Sequence, residues 1–243
     1  MREADPVYRR ILLKLSGEVL MGEKSFGIDP AVLKRIASEI VSVWKMGVQI
    51  GVVIGGGNIF RGLEAASFGF SRVRADHIGM LATIMNAMAL GEALKEADGH
   101  VRVMTAIDMT KIAEPYDRER AVHHLKKNRI VLVGGGTGNP YFTTDTAAAL
   151  RAVEIDAQVL LKATRVDGVY EKDPRKYPDA RRLARLTYKD VLKKTLMVMD
   201  LTAVSLSMDQ SLPIIVFDLR EKDNIKRIVC GEDIGTLITG EKS

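Results

Sequence analysis

Three observations predict one α/β domain over residues 1–243, a three-layer α-β-α arrangement with a mainly parallel central sheet and helices on both faces. Strand-like and helix-like stretches alternate from end to end, as βαβ units do. The strand-like runs are nearly continuous in Val, Ile and Leu, as strands buried on both faces are. Two of them break into triple glycines: Gly51–Ile54 into Gly55-Gly56-Gly57-Asn58, and Ile130–Val133 into Gly134-Gly135-Gly136 with a further Gly138. At 243 residues and 47% hydrophobic content, the chain can bury a full core.

Arg9 to Glu18 reads as the first strand; Lys14 interrupts its apolar run and Ser16-Gly17 ends it. A lysine at the C-terminal end of a parallel strand lies where open α/β sheets bind ligands. A lysine snorkelling off a strand end reads equally well from this segment alone. Val19 to Ile28, with Gly22 and Gly27, reads as a loop or small hairpin. Asp29-Pro30 supplies the N-cap and first position of a helix. Its buried face is Val32, Leu33, Ile36, Ile40, Val43 and Trp44, and Gly47 ends it at C′. Val48 to Ile54 is the second strand, and Leu63 to Arg74 a loop or broken helix. Asp76 is placed as N-cap of a long helix with the apolar stripe Ile78, Leu81, Ala82, Met85, Met88, Ala89 and Leu94. Met80, Met85 and Met88 read as core or subunit contact.

Val101 to Ala106 forms a third strand. Asp117 caps a helix that carries Ala121, Val122 and Leu125 and ends at Asn128; His123 and His124 read as surface or core residues. A fourth strand starts at Ile130, and an alanine-rich helix follows from Thr144. In the strand Val159 to Ala163, Lys162 stands near the C-terminal end, as Lys14 does in the first. Val166 to Pro174 is rich in turns. Helices at Thr187–Leu192, Asp200–Met208 and Asn224–Val229 and strands at Ile214–Phe217 and Thr236–Thr239 complete the chain.

Composition narrows the function. The charged start MREADPVYRR lacks the apolar segment of a signal peptide, and no apolar run is read as long enough to span a bilayer. One cysteine, Cys230, excludes an internal disulfide and a thiolate zinc cluster, and reads as a core thiol. A cytoplasmic protein is expected. The net charge of +5 suits an anionic partner; much of it lies between Lys172 and Lys194, where a solvated face reads best. Aromatic content of 5% argues against an RNA-binding sheet.

The glycine loops carry the chemistry. A strand that stops in glycines and restarts as the hydroxyl-capped helix Thr143-Thr144-Asp145 brings backbone N–H groups close to an anion. One such loop reads as well as a tight turn without ligand; two point to two phosphorylated molecules. No Gly-Lys pair, G-x-G-x-x-G or G-x-S-x-G occurs. What remains is two glycine loops, Lys14 and Lys162 at strand ends, Arg61 after the first loop, Asp76, and Asp145 in a first helical turn. That set suits phosphoryl transfer, which needs charge neutralisation and alignment more than covalent help. Lys14 and Lys162 are placed on the transferring group, with Asp145 holding them.

LLKLSGE (Leu12–Glu18), GVVIGGGNIFRG (Gly51–Gly62), ADHIGMLAT (Ala75–Thr83), GTGNPYFTTD (Gly136–Asp145), LKATRVDGVYEKDP (Leu161–Pro174), VMDLTA (Val198–Ala203) and GTLIT (Gly235–Thr239) follow one another in the order of a known family. Together they span essentially the whole chain, which resembles the bacterial uridylate (UMP) kinases of the amino acid kinase superfamily. The resemblance implies an amino acid kinase-like fold and the reaction of ATP with UMP to give ADP and UDP, with Mg²⁺ accompanying ATP and no metal held by the protein's own residues. The N-terminal part would bind mainly UMP and the C-terminal part mainly ATP. Lys14, Leu15, Ser16, Gly17, Gly57, Arg61, Thr164, Tyr170 and Asp173 would contact ATP. Gly56, Asp76, Thr137, Gly138, Asn139, Pro140, Tyr141, Phe142, Thr143 and Thr144 would hold UMP. A homohexamer is implied, with UTP as feedback inhibitor and GTP as a possible activator. Against this stand a sister kinase acting on a carboxylate or carbamate, a nucleotide-binding storage or regulatory protein, and a nucleic-acid binder drawn by charge.

Overall fold

A computed structural model describes residues 5–60, 69–172, 174, 176, 177, 179–193, 196 and 198–240. Its central strands are β1 (Arg10–Leu15), β2 (Gln49–Ile54), β3 (Val101–Thr105), β4 (Glu114–Pro115), β5 (Ile130–Gly134), β6 (Val159–Thr164), β9 (Arg185–Thr187), β10 (Ile214–Asp218) and β11 (Thr236–Thr239). They form a nine-stranded sheet in the order β4-β3-β5-β2-β1-β6-β10-β11-β9. All neighbours are parallel except β10 and β11. A separate antiparallel ribbon joins β7 (Val169–Tyr170) to β8 (Arg182–Leu183). The sequence predicts no strand at β4, β8 or β9 and places β7 inside a turn-rich stretch. Strands of two or three residues are too short to show an alternating pattern, and Pro115 fits β4 because that strand is at the sheet edge.

The helices cover both faces. On one lie α1 (Pro30–Trp44), α2 (Arg72–Glu96) and α7 (Asn224–Val229), packed on Ile11, Leu13 and Leu15 of β1. On the other lie α3 (Arg118–Lys126), α4 (Thr144–Glu154), α5 (Tyr188–Lys193) and α6 (Leu201–Asp209), packed on Leu12 and Leu160. Asp29 caps α1 and Asp117 caps α3 through their carboxylates. The cap of α7 comes from elsewhere: the buried Glu39 of α1 accepts the Ile225 N–H at 3.1 Å. Burial pushes the Glu39 carboxyl above its ordinary range.

Several elements depart from the sequence reading. Val19–Met21 closes a 3₁₀ turn (Gly17–Met21) in place of a loop or hairpin. α1 stops at Trp44 with Lys45 as its cap, so Gly47, at φ +85°, stands one position beyond C′. α2 is capped by Ser71, whose hydroxyl accepts the Arg74 N–H, so Asp76 lies within the helix. Of the expected stripe Ala82 and Leu94 are buried, as is Met80, but Leu81, Met85 and Met88 are exposed, and α2 also buries Thr83, Asn86, Ala87 and Gly91. Small side chains let this helix approach the sheet closely: a Cβ on Gly91 would come within 2.8 Å of Val103, and one on Gly134 within 2.9 Å of the Ile84 backbone. Contrary to the reading of no bilayer-length run, α2 at 25 residues is long and apolar enough to cross a membrane by length and composition. More than half of that window is buried within the fold, as in a core helix. Cys230 is half-buried at the end of α7, not a core residue. His124 is buried between Glu114 and Arg129, while His123 is exposed.

Candidate active site

Register and pleat together place the two lysines. β1 and β6 are neighbours, and Lys14 pairs with Lys162. Along β1, Ile11, Leu13 and Leu15 face α1 and α2, while Leu12 faces α4; along β6, Leu161 and Ala163 face the first side and Leu160 the second. Alternation therefore turns both lysines toward α4. There Asp145, in the first turn of α4, meets both: Oδ1 lies 2.8 Å from Lys14 Nζ and Oδ2 lies 2.7 Å from Lys162 Nζ. Lys162 also donates to the Val198 carbonyl.

All three groups are largely buried, and their charges regulate one another. Burial alone would raise the Asp145 carboxyl; the ammonium groups of Lys14 and Lys162 overcome it and hold the pKa at about 2. For Lys162, burial and the charge of Lys14 push the pKa down against the pull of Asp145. Within the Lys14–Asp145–Lys162 triad two cations face one anion, and the nearby carboxylate of Asp200 offsets part of that excess. A buried site of that kind is complementary to an added anion.

Asp200, to which the sequence assigns no role although VMDLTA contains it, adjoins the cluster. It caps α6 through the Ala203 N–H at 2.9 Å, accepts the Thr146 hydroxyl at 2.9 Å and accepts the Thr143 hydroxyl. Thr143 in turn caps α4 by accepting from Asp145 N and Thr146 N. The starts of α4 and α6 are thus tied together beside Lys162. An aspartate at a helix start is a capping signal that could have marked Asp200; its proximity to Thr143, 57 residues away, has no signal in the sequence.

Both glycine loops reach this cluster from the neighbouring strands. A Cβ on Gly17 would lie 2.6 Å from Asn58 Oδ1 and 2.7 Å from the Gly55 carbonyl, so the turn after β1 packs directly on the loop after β2. Gly56 is equally confined, with Ala82 Cβ at 2.8 Å from such an atom. Nothing lies within 4 Å of the corresponding point on Gly57, whose open side adjoins a cavity of about 230 Å³. Gly56, Gly57, Asp76, Thr137, Phe142, Thr143 and Thr144 line that cavity, together with Phe60, Gly79 and Thr83.

The structure thus gathers six of the ten residues assigned to the second nucleotide around one cleft. Gly138 instead packs on Ala106 at φ +82°, and Asn139 folds back on Thr137. Pro140 and Tyr141 form the rim, where Tyr141, at φ +73°, donates its N–H to Asp76 Oδ2 at 2.7 Å. Arg72 grips the same carboxylate at 2.9 Å. On the other side, Lys14, Ser16 and Gly17 lie at the end of β1. Leu15 has its side chain in the core and its carbonyl bonded to Gly55 N, so it shapes the strand end. Thr164 closes a turn onto Val166, and Tyr170 donates to Asp167 at 2.6 Å. Arg61 and Asp173 lie outside the described residues.

Among the described residues, no group of three or more His, Cys, Asp or Glu converges as a metal site would. The two carboxylates near the lysines are already engaged by Lys14, Lys162, Thr143 and Thr146. This donor set fits a Mg²⁺ ion carried mainly on phosphate oxygens and water.

Comparison with known proteins bears on this geometry. Residues 9–218 match the amino acid kinase family. The chain is similar to the crystal structure of UMP kinase from Bacillus anthracis, with a TM-score of 0.94, 43% identity and 97% of each chain covered. It is similar to UMP kinase from Ureaplasma parvum, at a TM-score of 0.89 and 32% identity, covering 98% of this chain and 100% of that one. Uridylate kinase from Archaeoglobus fulgidus gives 0.76 and 32%, covering 94% and 99%.

Proposed function

The chain belongs to the amino acid kinase family, in its UMP kinase branch, and from that premise we propose that it transfers the γ-phosphoryl group of ATP to UMP, yielding ADP and UDP for pyrimidine nucleotide biosynthesis. The observation that carries the proposal is the Lys14–Asp145–Lys162 cluster between the two glycine loops. A phosphate oxygen of UMP attacks the γ-phosphorus as the bond to the β,γ-bridging oxygen breaks, and ADP departs with that electron pair. Charge on the passing phosphoryl group meets Lys14 and Lys162, whose ammonium groups Asp145 holds in place before reaction, so little reorganisation is needed. When bound, Mg²⁺ supplies further neutralisation of phosphate charge.

UMP is assigned to the cleft lined by Gly56, Asp76, Thr137 and Phe142–Thr144, with Asp76 accepting from ribose hydroxyls. Gly138 to Tyr141 hold the loop that closes its rim. ATP is assigned to the end of β1, Gly57, and the segment after β6 with Thr164 and Tyr170; Arg61 and Asp173 belong to this assignment from the family resemblance. A homohexamer is proposed on the exposed apolar row of α2, where Leu81, Met85 and Met88 are 45%, 56% and 40% exposed. UTP, which shares uracil and ribose with UMP, is assigned as feedback inhibitor. GTP is carried as an activator on the resemblance alone.

The test is to supply ATP and Mg²⁺ with UMP, CMP, dTMP, acetylglutamate, aspartate or carbamate in turn and follow ADP release. Turnover confined to UMP is expected. Turnover with an acid and none with UMP would overturn the substrate, and ATP binding without any turnover would favour a storage or regulatory role.

A further inference from the structure

We infer that Thr83 and Asn86, one turn apart on α2, are positioning residues that mount both glycine loops on a single helix and so set the spacing of the two phosphates that must align. The inference rests on the proposed assignment of phosphates to these loops. Thr83 is buried, and its hydroxyl is used twice: it donates to the Met80 carbonyl at 2.7 Å and accepts the Gly135 N–H at 2.8 Å. Asn86 is fully buried. Its Nδ2 donates to the Gly55 carbonyl at 2.7 Å and to Asn58 Oδ1 at 2.6 Å, and its Oδ1 accepts from Asn58 Nδ2 at 3.1 Å. Asn58 Nδ2 also reaches the Gly27 carbonyl at 3.0 Å. One helix therefore holds Gly135 of the acceptor loop through position 83, and Gly55 of the loop between the nucleotides through position 86.

Packing alone asks for neither side chain. An apolar residue of similar volume would fill either place, and a buried polar group is unfavourable unless its partners are met. Both are met, one on each loop. Gly79 and Ala82, just before Thr83, pack closely on Gly56, so the helix fixes that loop by contact as well as by hydrogen bonds. The consequence is kinetic. Loops that drift by an ångström still bind their phosphates, but in-line alignment suffers, and displacement on that scale can lower a rate about a hundredfold.

Thr83→Val keeps the shape and removes the acceptor for Gly135 N–H, whereas Thr83→Ser keeps the hydroxyl. The steady-state kinetics of both are compared with the native chain, together with amide exchange at Gly135 and a urea unfolding midpoint. The expected result is a kcat about tenfold lower for Thr83→Val, with KM for UMP and ATP within about twofold. Gly135 exchange should be faster in Thr83→Val, while Thr83→Ser, which keeps the hydroxyl, should retain most of the native kcat and of the protection at Gly135. Unchanged kcat in folded Thr83→Val overturns the inference. So does an equal loss in both variants, which would assign the effect to packing, or a higher KM at constant kcat, which would assign it to substrate contact. If Thr83→Val does not fold, Thr83→Ala takes its place against Thr83→Ser, and the same results support or overturn the inference. If the native chain ignores UMP but accepts another substrate, the assigned substrate fails and the comparison proceeds with that acceptor. If nothing turns over, Gly135 exchange decides: unchanged protection in Thr83→Val overturns the inference.

Discussion

Lys162 spends its ammonium group on Asp145, on the Val198 carbonyl and, by the proposed role, on a phosphoryl group in transit. These demands differ in timing. The protein contacts exist at rest, and the third is strongest in the transition state, so removing the lysine should affect rate more than binding. Lys162→Ala is expected to lower kcat by roughly 10²–10³-fold, the range for removing one preorganised donor, with KM for ATP and UMP changed by less than about fivefold. Steady-state kinetics checks this, and an unchanged kcat would remove Lys162 from the chemistry. Lys14 is ambiguous as an isolated strand-end lysine; its 2.8 Å contact with Asp145 Oδ1 puts it in the buried cluster and supports its reading as a site residue.

α2 presents two unlike sides. Its small and polar side, Gly79, Ala82, Thr83, Asn86 and Gly91, lies against the sheet and the glycine loops. Met80, Ile84, Leu90 and Leu94 are buried with that side, whereas Leu81, Met85 and Met88 face outward, alongside Ile112, which is 50% exposed. Helical spacing identified apolar positions without saying which side the sheet takes, because that choice follows from how closely the backbones approach. Methionines on an exposed row suit a surface that repacks against another copy. Met85→Asp is expected to shift the assembly to smaller species in sedimentation velocity at equal concentration. Its unfolding midpoint at high dilution should stay near native, since position 85 touches little of its own chain. Unchanged sedimentation would exclude this row from the assembly contact.

Across the whole molecule, the buried cluster links stability to acidity. The Asp145 pKa falls from an ordinary 3.8 to about 2 on folding. A carboxyl with a lowered folded pKa contributes stability above its unfolded value and loses it as pH falls through the folded one. The contribution is about 2 kcal/mol, present at about pH 4 and above and lost by about pH 2. Urea unfolding of the native chain and of Asp145→Asn across that interval should show the native chain losing about 2 kcal/mol more; parallel curves would refute the linkage. The sequence by itself determined the β-α alternation, the caps at Asp29 and Asp117, the two glycine loops and the motifs that point to the family. These are local signals, carried by neighbours in the chain, periodicity and backbone freedom. The tertiary structure decided the strand order, which side of α2 is buried, the cap that Glu39 lends to α7, and the meeting of Asp200 with Thr143. Each of these depends on residues far apart in sequence whose separation is fixed only when strands pair in register and helices pack. For the same reason Lys14 and Lys162 could be named from the chain, while their shared hold on Asp145 required the β1–β6 pairing.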